Sequence, residues 1–405
     1  MYASFPSKLA NVHQRINTCY ALAATGQAEV HIVYPSQKQD TLAEVLTNYD
    51  LKLISGLFLW PIVPSHKFWK SGLAFRVYSR ICLIVSIFKL MLHNQGNVVL
   101  FGRDIEYLSM LMPWAHSMHC PVICESHGVS SVVQSEYKIL LGKELPKNAL
   151  SRRIYTLQEQ YTLKKANAII CTTNNLKHIL STEFSVDENR LFVIPNGAAD
   201  TSNTELSGDS RVLDKFAHSD STRVLYTGQF YPWKGVDLII ESAAYLPECF
   251  RIYLAGGNND HDKNRLLAVA RKRGVLERVV FIGQVTLAEA RRLQCNAQIL
   301  VLSLAPGNAE SDKFTSPIKI FEYMASNRPM IAPNLPMVRE VLEHGRNAWL
   351  YEASNPEDLA TAIKYVASHS AIAKKIAAQA KEDFQNKYTM EKRALRLIEA
   401  MNSVL

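Results

Sequence analysis

The chain has 405 residues, of which 48% are apolar and 20% are charged, and its formal net charge is +8. This length favours two domains over one, and the composition is that of an ordinary globular protein without repeats or low-complexity segments. The positive charge is spread out and lacks the clustering and interleaved aromatic residues of a nucleic-acid groove, so no nucleic-acid partner is expected; an anionic ligand or an anionic membrane surface is favoured.

The seven cysteines are scattered, and none has the paired spacing of a metal site or a disulfide framework. No signal peptide opens the sequence, and the longest apolar run, Ile81–Phe88, is far too short to cross a bilayer. We therefore expect a protein of the reducing cytoplasm, with association at the inner face of the membrane as an open alternative.

The first half of the chain predicts helices that alternate with short apolar strands. An amphipathic helix opens near Ala10 and ends near Gly26, and further helices are predicted over 66–93, 105–117 and 150–166. The predicted strands are Val30–Tyr34, Leu51–Ile54, Leu57–Val63, Val98–Phe101, Pro121–Cys124, Ala168–Thr172 and Leu191–Ile194. A parallel α/β domain would be expected to have one more strand before residue 5, where there is scarcely room for it.

The predicted helix over 66–93 is rich in aromatic and basic residues. One interpretation is an ordinary buried helix whose Lys and Arg side chains extend to solvent. The other is a surface that faces a membrane or a lipid acceptor, because basic and aromatic residues combine in such helices.

A polar stretch over 199–221, rich in Ser, Asp and Thr, is the best domain boundary in the chain. The helices predicted beyond it cover 235–246, 262–274, 286–294, 317–326, 336–343, 356–368 and 371–401. The strands predicted there are Val224–Thr227, Arg251–Ala255, Val279–Ile282, Ile299–Leu302, Met330–Ala332 and Trp349–Tyr351. We predict an N-terminal domain over 1–200, a linker over 201–221, a second domain over 222–370 and C-terminal helices over 371–405 that pack back toward the first domain.

Strands that alternate with helices predict an α/β fold with parallel sheets covered on both faces. In such sheets, ligands bind outside the carboxyl ends of the strands. Two α/β domains therefore predict a ligand in the cleft between them.

The stretch Gln298–Ala332 is interpreted as a strand, a polar loop, a helix, a tight turn and a second strand. Ser316 is a good N-cap, and Pro317 suits the first helical position. A helix that starts at the end of a strand presents free N–H groups and a partial positive charge to a phosphate. Lys319 lies in the first turn, and Glu322 lies one turn deeper, where a carboxylate suits a ribose diol.

Other strand ends in the second half supply residues of the same kind. The loop that opens at Gly228 and Gln229 contains Lys234, a cation for a phosphate, although a solvated lysine explains it equally well. Gly256 and Gly257 follow one strand and would let the flat base of a nucleotide approach the backbone. Val285 follows the next strand in the same way. Lys319 and Glu322 have an alternative role as a surface ion pair.

In the first half, His127 follows a strand and so faces the same cleft, either as a structural or as a functional histidine. Patterns of other nucleotide and hydrolase sites are missing from the sequence: there is no GxxxxGK[ST], GxGxxG, GxSxG or HExxH.

The motifs of the second half, in chain order, are YTGQFYPWKGVDLIIESA, LAGG, VVFIGQV and TSPIKIFEYMASNRPMIAPNLPMVREVL; looser ones in the first half are FPSKLAN, FGRD, ESHG and IPNG. With these motifs the chain resembles the family-4 retaining glycosyltransferases, and its Ser-Pro-x-Lys and Phe-Glu-Tyr-Met-Ala segments resemble a recurrent subgroup. The resemblance implies the GT-B fold: two Rossmann-like parallel-sheet domains facing each other across a cleft, with a C-terminal helix that crosses back to the first domain.

The resemblance also implies roles for single residues. Lys234 would touch the diphosphate of a nucleotide sugar, Glu322 would hold the ribose hydroxyls, and the amides near Ile318 and Lys319 would cap the phosphates. His127 matches the histidine beside the transferred sugar and is grouped with Lys234 and Glu322 as catalytic. The residues matched to the acceptor side are Ser7, Lys8, Asn11, Arg103 and Asn196.

Two positions depart from the family pattern. The family commonly has two glutamates eight positions apart, and the position eight before Glu322 is Phe314; Glu310 and Asp312 lie nearby. The family often has Arg after the glycine where this chain has Gln229, which leaves Lys234 as the main cation there.

We therefore expect transfer of a sugar from a nucleotide-diphosphate donor to a saccharide or lipid-linked hydroxyl acceptor, in cell-surface polysaccharide or glycolipid synthesis. No cofactor or metal is expected, because cations and a helix dipole would stabilise the departing diphosphate. The alternatives left open are a sugar-nucleotide epimerase of the same fold and a non-catalytic relative.

Overall fold

The computed structural model describes residues 10–36, 40–49, 51–62, 73–93, 97–129, 149–200, 213–214, 216, 221–257, 259–307, 314 and 316–405. Within these residues the strands pair in parallel throughout, in sheets of two, four and six strands. The smaller two sheets lie in the first domain and the largest in the second, which confirms the prediction of two parallel α/β domains.

The first domain alternates strands with helices. Its described helices are α1 (Ala10–Ala24), α2 (Leu42–Thr47), α3 (Leu73–His93), α4 (Ile105–Ser117), α5 (Ala149–Lys165) and α6 (Asn174–Thr182). Its strands are β1 (Val30–Pro35), β2 (Leu57–Ile62), β3 (Leu100–Gly102), β4 (Val122–Ser126), β5 (Ala168–Cys171) and β6 (Leu191–Val193). β1 pairs with β2, and the other four strands follow the order β3-β4-β5-β6. β4 and β5 are buried along their whole length, as expected for strands covered on both faces.

The second domain is built on one sheet of order β12-β11-β10-β7-β8-β9. Its strands are β7 (Thr222–Thr227), β8 (Phe250–Ala255), β9 (Val279–Gly283), β10 (Ile299–Val301), β11 (Met330–Pro333) and β12 (Trp349–Tyr351). Its described helices are α7 (Val236–Ser242), α8 (Asp260–Lys272), α9 (Leu287–Asn296), α10 (Ile318–Ala325), α11 (Pro336–Arg339) and α12 (Pro356–Ser368). From the central strand β7 the chain runs outward first through β8 and β9, then returns to β10 on the other side, so a crevice opens between the carboxyl ends of β7 and β10.

Neighbouring side chains along β7 enter opposite faces of the large sheet. Leu225 belongs to the buried cluster under α10, whereas Val224 and Tyr226 belong to the cluster under α7 and α12. The double-sided core explains why these strands are continuously apolar, and it fixes the strand ends that surround the crevice.

The last two helices, α13 (Ser370–Lys387) and α14 (Met390–Asn402), connect the domains. Leu397 and Ile398 of α14 share a buried cluster with Ala21 and Leu22 of α1, which confirms that the C-terminal helix crosses back to the first domain. Between the two helices, the N–H of Met390 donates to the carbonyl of Ala198 at 3.1 Å, so the crossover is also fastened through the backbone.

Several predicted elements are wrong in detail. Leu51–Ile54 is not a strand: Leu51 and Ile54 pack as loop residues against the buried clusters beside α1 and α2, so their apolar character reflects burial alone. Helices α2 and α6 were not predicted, and each is fixed by a threonine N-cap, Thr41 and Thr173.

The remaining differences concern lengths. The helix predicted over 235–246 ends in a tighter 3₁₀ turn, Ala243–Tyr245, and that over 336–343 covers only Pro336–Arg339. The segment predicted over 371–401 is two helices, separated where the chain bonds to Ala198. Residues 66–72, the place of a strand before residue 5 and most of the predicted linker lie outside the described residues, so the domain limits stay predictions.

A substitution at Gly256 tests whether the loops that follow β7 and β8 approach each other closely. A Cβ at Gly256 would lie 2.1 Å from the carbonyl oxygen of Gly228, whereas one at Gly274 would meet nothing within 4 Å. Both have positive φ, 125° and 67°. We expect Gly274→Ala to cost about 1–2 kcal/mol through backbone strain and Gly256→Ala to cost about 1–3 kcal/mol more through steric overlap. Urea unfolding checks this; equal losses in the two variants would contradict the close approach of the loops.

Candidate active site

The start of α10 lies in the crevice between β7 and β10. The helix begins at Ile318 with Pro317 in the N-cap position, so the prediction that Ser316 caps the helix is wrong. The Ser316 hydroxyl instead accepts from the N–H of Asn196 at 3.4 Å, and its carbonyl accepts from Asn196 Nδ2 at 2.8 Å. A residue of the first domain therefore fastens the loop before α10, while the N–H groups of Ile318 and Lys319 stand in the first turn, where the helix supplies no acceptor.

Lys319 projects from this first turn across the end of β7. Its Nζ lies 4.9 Å from the centroid of the Tyr226 ring, and a Cβ at Gly228 would approach that Nζ to 2.4 Å. Only glycine leaves room for the ammonium group here. Burial lowers the pKa of Lys319 to about 8, against the opposing charge of Glu322. The site therefore holds a desolvated cation beside a helix N-terminus, an arrangement that favours an anionic ligand.

Glu322 lies one turn further along α10 in polar surroundings. Burial raises its pKa, while the charges of Lys319 and Arg291 and a hydrogen bond from Gln294 oppose that rise. Gln294 also donates to Thr227 Oγ1 at 3.0 Å, and the N–H of Thr227 donates to the Tyr323 hydroxyl at 3.0 Å. This side-chain network joins α9, α10 and the end of β7, so it orients the Glu322 carboxylate.

Lys234 ends a 3₁₀ turn, Pro232–Lys234, on the other side of Gly228. Its carbonyl accepts from Ser303 Oγ at 2.7 Å, just beyond β10, and its Nζ lies 3.4 Å from the centroid of the Trp233 ring. The backbone of this lysine is thus fixed at the crevice. The carbonyl of Gln229 accepts from the Tyr226 hydroxyl at 2.9 Å, and its side-chain Oε1 is buried without a hydrogen-bond partner among the described residues.

The predicted glycines of the neighbouring loops make backbone contacts. Gly256 donates to the carbonyl of Gly283 at 2.7 Å, and Gly257 donates to that of Gly228 at 3.2 Å. The loops after β7, β8 and β9 are therefore tied together. Val285 packs against the buried cluster beneath them, which places its side chain in a supporting position.

On the first domain, His127 follows β4 and contacts a buried carboxylate. Its Nε2 lies 2.5 Å from Glu125 Oε1, and 19% of its side chain is exposed. Burial and the charge of Arg103 lower the pKa of His127 to about 4, against the opposing effect of Glu125. The imidazole is therefore neutral at physiological pH, with its Nε2–H donated to Glu125.

Sequence reasoning missed Glu125 and its second partner, Arg393 of α14, whose guanidinium donates to the same carboxylate oxygen at 2.9 Å. Burial alone would raise the pKa of Glu125, but the charge of Arg393 and the hydrogen bond from His127 hold that pKa well below its usual range. The only available signal was an arginine on the apolar stripe of α14, and nothing local links it to Glu125.

The residues predicted for the acceptor side are placed unequally. Arg103 follows β3 and acts electrostatically on Glu125 and His127, which puts it beside them. Asn196 is buried between α1 and Ser316, accepting from Gln14 Nε2 at 3.2 Å, so it joins the domains. Asn11 lies in the first turn of α1, whereas Ser7 and Lys8 lie outside the described residues.

Phe314, at the position where the resemblance would place a glutamate, is buried in the first domain. It is 1% exposed and belongs to the apolar cluster that contains Leu108 of α4 and Val129. A Cβ at Gly128 would lie 3.3 Å from the Phe314 ring, so this side chain packs against the residue that follows His127 in the chain. The nearby Glu310 and Asp312 lie outside the described residues, within which no group of three or more His, Cys, Asp or Glu side chains is arranged to hold a metal.

Comparisons with known proteins agree with this geometry. A family model described as "Glycosyl transferases group 1" matches residues 221–369, and one described as "Glycosyltransferase Family 4" matches residues 16–201. An uncharacterized glycosyltransferase of Methanocaldococcus jannaschii is 25% identical over 61% of this chain, and the D-inositol 3-phosphate glycosyltransferase of Rhodococcus opacus is 25% identical over 60%. These alignments span 61% and 54% of the relatives' own lengths.

Solved structures resemble the whole chain. The HepE protein of Anabaena, solved in complex with UDP-glucose, superposes with a TM-score of 0.70 at 14% identity and covers 98% of this chain and 97% of its own. WaaG, a glycosyltransferase involved in lipopolysaccharide biosynthesis, superposes with a TM-score of 0.63 at 16% identity over 99% and 97% of the two chains. At such identities the likeness shows the fold, and it confirms the GT-B architecture.

The pKa of Lys319 predicts how nucleotide binding depends on pH. The ammonium form, needed to attract a phosphate, dominates below pH about 8 in the free protein, and a bound anion raises this pKa. We expect the affinity for nucleoside diphosphates to be steady from pH 7 to about 8 and then to fall, by up to about tenfold per pH unit. Titration calorimetry with UDP, GDP and ADP measures this.

Lys319→Met should bind nucleoside diphosphates weakly at pH 7, and its affinity should no longer fall above pH 8, whereas Lys272→Met, at an exposed position of α8, should behave as wild type. An affinity that stays level to pH 9.5 in the wild-type protein, or an unchanged profile in Lys319→Met, would contradict the assignment of this lysine.

Proposed function

Since the chain belongs to the group 1, family 4 glycosyltransferases, whose models match residues 16–201 and 221–369, we propose that it moves a sugar from a nucleotide-diphosphate donor to a hydroxyl acceptor with retention at the anomeric carbon. The observation that carries this proposal is the pairing of the desolvated Lys319 ammonium with the open first turn of α10, at the crevice of the second domain. A partly exposed but desolvated cation, whose charge is opposed among the described residues by Glu322, favours an anion, and a diphosphate supplies one.

In the proposed complex, the second domain binds the donor, with one group of residues at the diphosphate and another at the ribose. Lys319, Lys234 and the N–H groups at Ile318 surround the place where the diphosphate binds, and each favours the negative charge that grows as the sugar departs. Glu322, oriented by Gln294, lies one turn deeper and accepts hydrogen bonds from the ribose hydroxyls. Gly228, Gly256 and Gly257 leave room for the nucleotide beside the backbone.

The proposed reaction occurs on one face of the sugar. The bond from the anomeric carbon to the phosphate oxygen breaks, the bond to the acceptor oxygen forms on the same face, and the acceptor proton moves to the departing phosphate. No protein nucleophile is required in this scheme. His127, neutral and on the facing domain, would line the sugar position, and Arg103 would lie on the acceptor side.

Phe314 gives specific support to one alternative. Because a buried phenylalanine occupies the position of a glutamate, donor binding without transfer is the second candidate function. Calorimetric binding of a nucleotide sugar without turnover on any acceptor or water would favour it.

An apolar surface on the first domain supports a lipid-linked acceptor and peripheral membrane contact. Exposed apolar residues recur at helical spacing on two helices: Ile81, Val85, Phe88 and Leu92 on α3, and Leu150, Ile154, Leu157 and Tyr161 on α5. Trp114 of α4 is also exposed and lies 6.5 Å from Phe88, centroid to centroid. We call these residues the α3–α5 surface.

The charges beside the α3–α5 surface fit an anionic bilayer. α3 contains no acidic residue, and the one acidic residue of α5, Glu159, is buried. Exposed Lys89 and Arg153 each adjoin a residue of the surface. None of the described helices is long and apolar enough to cross a membrane. Shallow insertion with electrostatic attraction is the mode these features favour. It would suit an acceptor in cell-surface polysaccharide or glycolipid synthesis.

Donor turnover tests the proposed site. Lys234→Ala and Glu322→Ala should each reduce turnover by at least about a hundredfold, since each removes a contact to the donor. A thermal-shift panel of UDP-, GDP- and ADP-sugars first identifies the donor, because a ligand of the folded state raises its apparent stability. Product release then measures turnover, with Lys364→Ala, at an exposed position of α12, as the control. Near-wild-type rates in Lys234→Ala and Glu322→Ala would refute the assignment.

Vesicle sedimentation tests the membrane contact. The wild-type protein should bind phosphatidylcholine vesicles that contain phosphatidylglycerol and should dissociate in high salt. The double variant Val85→Asp, Phe88→Asp should lose binding, because it places two charges on the apolar surface, whereas Tyr245→Asp, an exposed aromatic position of the second domain, should retain it. Equal binding by both variants, or no binding by wild type, would exclude the α3–α5 surface as a membrane contact.

A further inference from the structure

Arg393 is a buried cation in a helix that otherwise packs through apolar side chains. It is 2% exposed and lies on the buried stripe of α14 with Met390, Ala394 and Leu397. Packing alone would be satisfied by an apolar residue of similar length, and burying a charge is costly unless it is paired and hydrogen-bonded. The guanidinium must therefore be explained by its partners.

Those partners come from three separate segments of the first domain. The guanidinium donates to Glu125 Oε1 at 2.9 Å, to Thr18 Oγ1 at 2.9 Å and to the carbonyl of Pro195 at 3.2 Å. Thr18 is in turn fixed on α1 by its bond to the carbonyl of Gln14 at 2.8 Å. The planar fork of an arginine can satisfy several acceptors at once, which a lysine cannot do in the same way.

The carboxylate that Arg393 holds is the one that contacts His127. Glu125 Oε1 receives both the guanidinium and, at 2.5 Å, the Nε2 of the imidazole. The three side chains therefore form a continuous row from α14 through the end of β4 to the edge of the cleft, along which exposure rises from 2% to 7% to 19%.

The contacts between Arg393, Glu125 and His127 determine which ring nitrogen of His127 carries the proton. A carboxylate paired with an arginine stays ionised and can only accept, so Nε2 is the protonated nitrogen and Nδ1 is left as a hydrogen-bond acceptor. The other groups near the pair are Arg103, which lowers the pKa of His127, and the thiols of half-buried Cys19 and buried Cys124, whose pKa values are raised by desolvation and by Glu125.

We infer that Arg393 is a positioning residue for His127: through Glu125 it holds the imidazole in one orientation, neutral, with Nδ1 as its acceptor. The inference deepens the function proposed above and rests on it only where His127 is assigned to the sugar position. It assigns to the C-terminal helix, 268 residues away in sequence from Glu125, a part in completing the site on the first domain.

The titration of His127 distinguishes positioning from a merely structural role. In Arg393→Met, Glu125 loses the guanidinium that compensates its negative charge but keeps its contact with His127. The carboxylate should therefore stabilise the protonated form of His127 more strongly than in the wild-type protein. We expect the NMR titration of His127 to move upward by about 1–3 pH units. The control Lys392→Met, an exposed neighbour on α14, should leave the titration unchanged.

A second background shows whether the effect passes through Glu125. In Glu125→Gln, Arg393→Met both charges are removed, which avoids an unpaired buried charge and preserves folding if Arg393→Met alone does not fold. His127 should there titrate well below its position in Arg393→Met. Arg393→Lys, which keeps the charge, should titrate close to wild type. An unshifted His127 in Arg393→Met, or an equal shift in the double variant, would overturn the inference.

The rate profile separates this inference from the proposed function. In Arg393→Met, kcat in mildly acidic solution should fall below the wild-type value with the donor KM unchanged, and it should recover toward neutral and higher pH as His127 loses its proton. A shifted NMR titration together with an unshifted rate profile would retain Arg393 as the positioning residue and refute the assignment of His127 to the transfer.

Discussion

The guanidinium of Arg393 imposes a strict geometric constraint on the fold, because a charge that is 2% exposed must find all its acceptors in one place. Its acceptors lie on α1, at the end of β4 and on the segment that follows β6. These segments meet only if α14 docks in one position on the first domain. The next residue after Pro195 is Asn196, which bonds twice to Ser316, so the same constraint reaches the loop that starts α10.

Arg393 and Lys319, the cations on the two sides of the cleft, differ in how fully their charges are compensated. Arg393 is paired within the fold, and the result is an ordered carboxylate and a neutral His127. Lys319 is desolvated against Tyr226 and Gly228. The charge of Glu322 offsets this desolvation only in part, so the pKa of Lys319 falls to about 8. A satisfied charge stabilises structure, whereas a charge that lacks full compensation favours an anion from outside. This physical difference supports the proposal that Lys319 binds an anion and that Arg393 serves the structure around His127.

The sequence was sufficient for features set by local pattern and insufficient for those set by distant contacts. Alternating strands and helices predicted the parallel sheets of both domains, and the order of strand ends predicted the place of Lys319 and Glu322. The capping role of Ser316 was predicted wrongly, since its hydroxyl is taken by Asn196 from the other domain. The row of Arg393, Glu125 and His127 had no local signal, because its members are brought together only by the return of α14.

Phe314 shows how one substitution alters the link between the domains. The phenylalanine ring lies in the core of the first domain, against Gly128, the residue that follows His127. Two residues later, Ser316 is bonded to Asn196. The start of α10 is therefore held by two anchors from the first domain, one apolar and one polar. Any movement of the two domains apart must either break both contacts or move the start of α10, so the position of this helix N-terminus depends on the first domain.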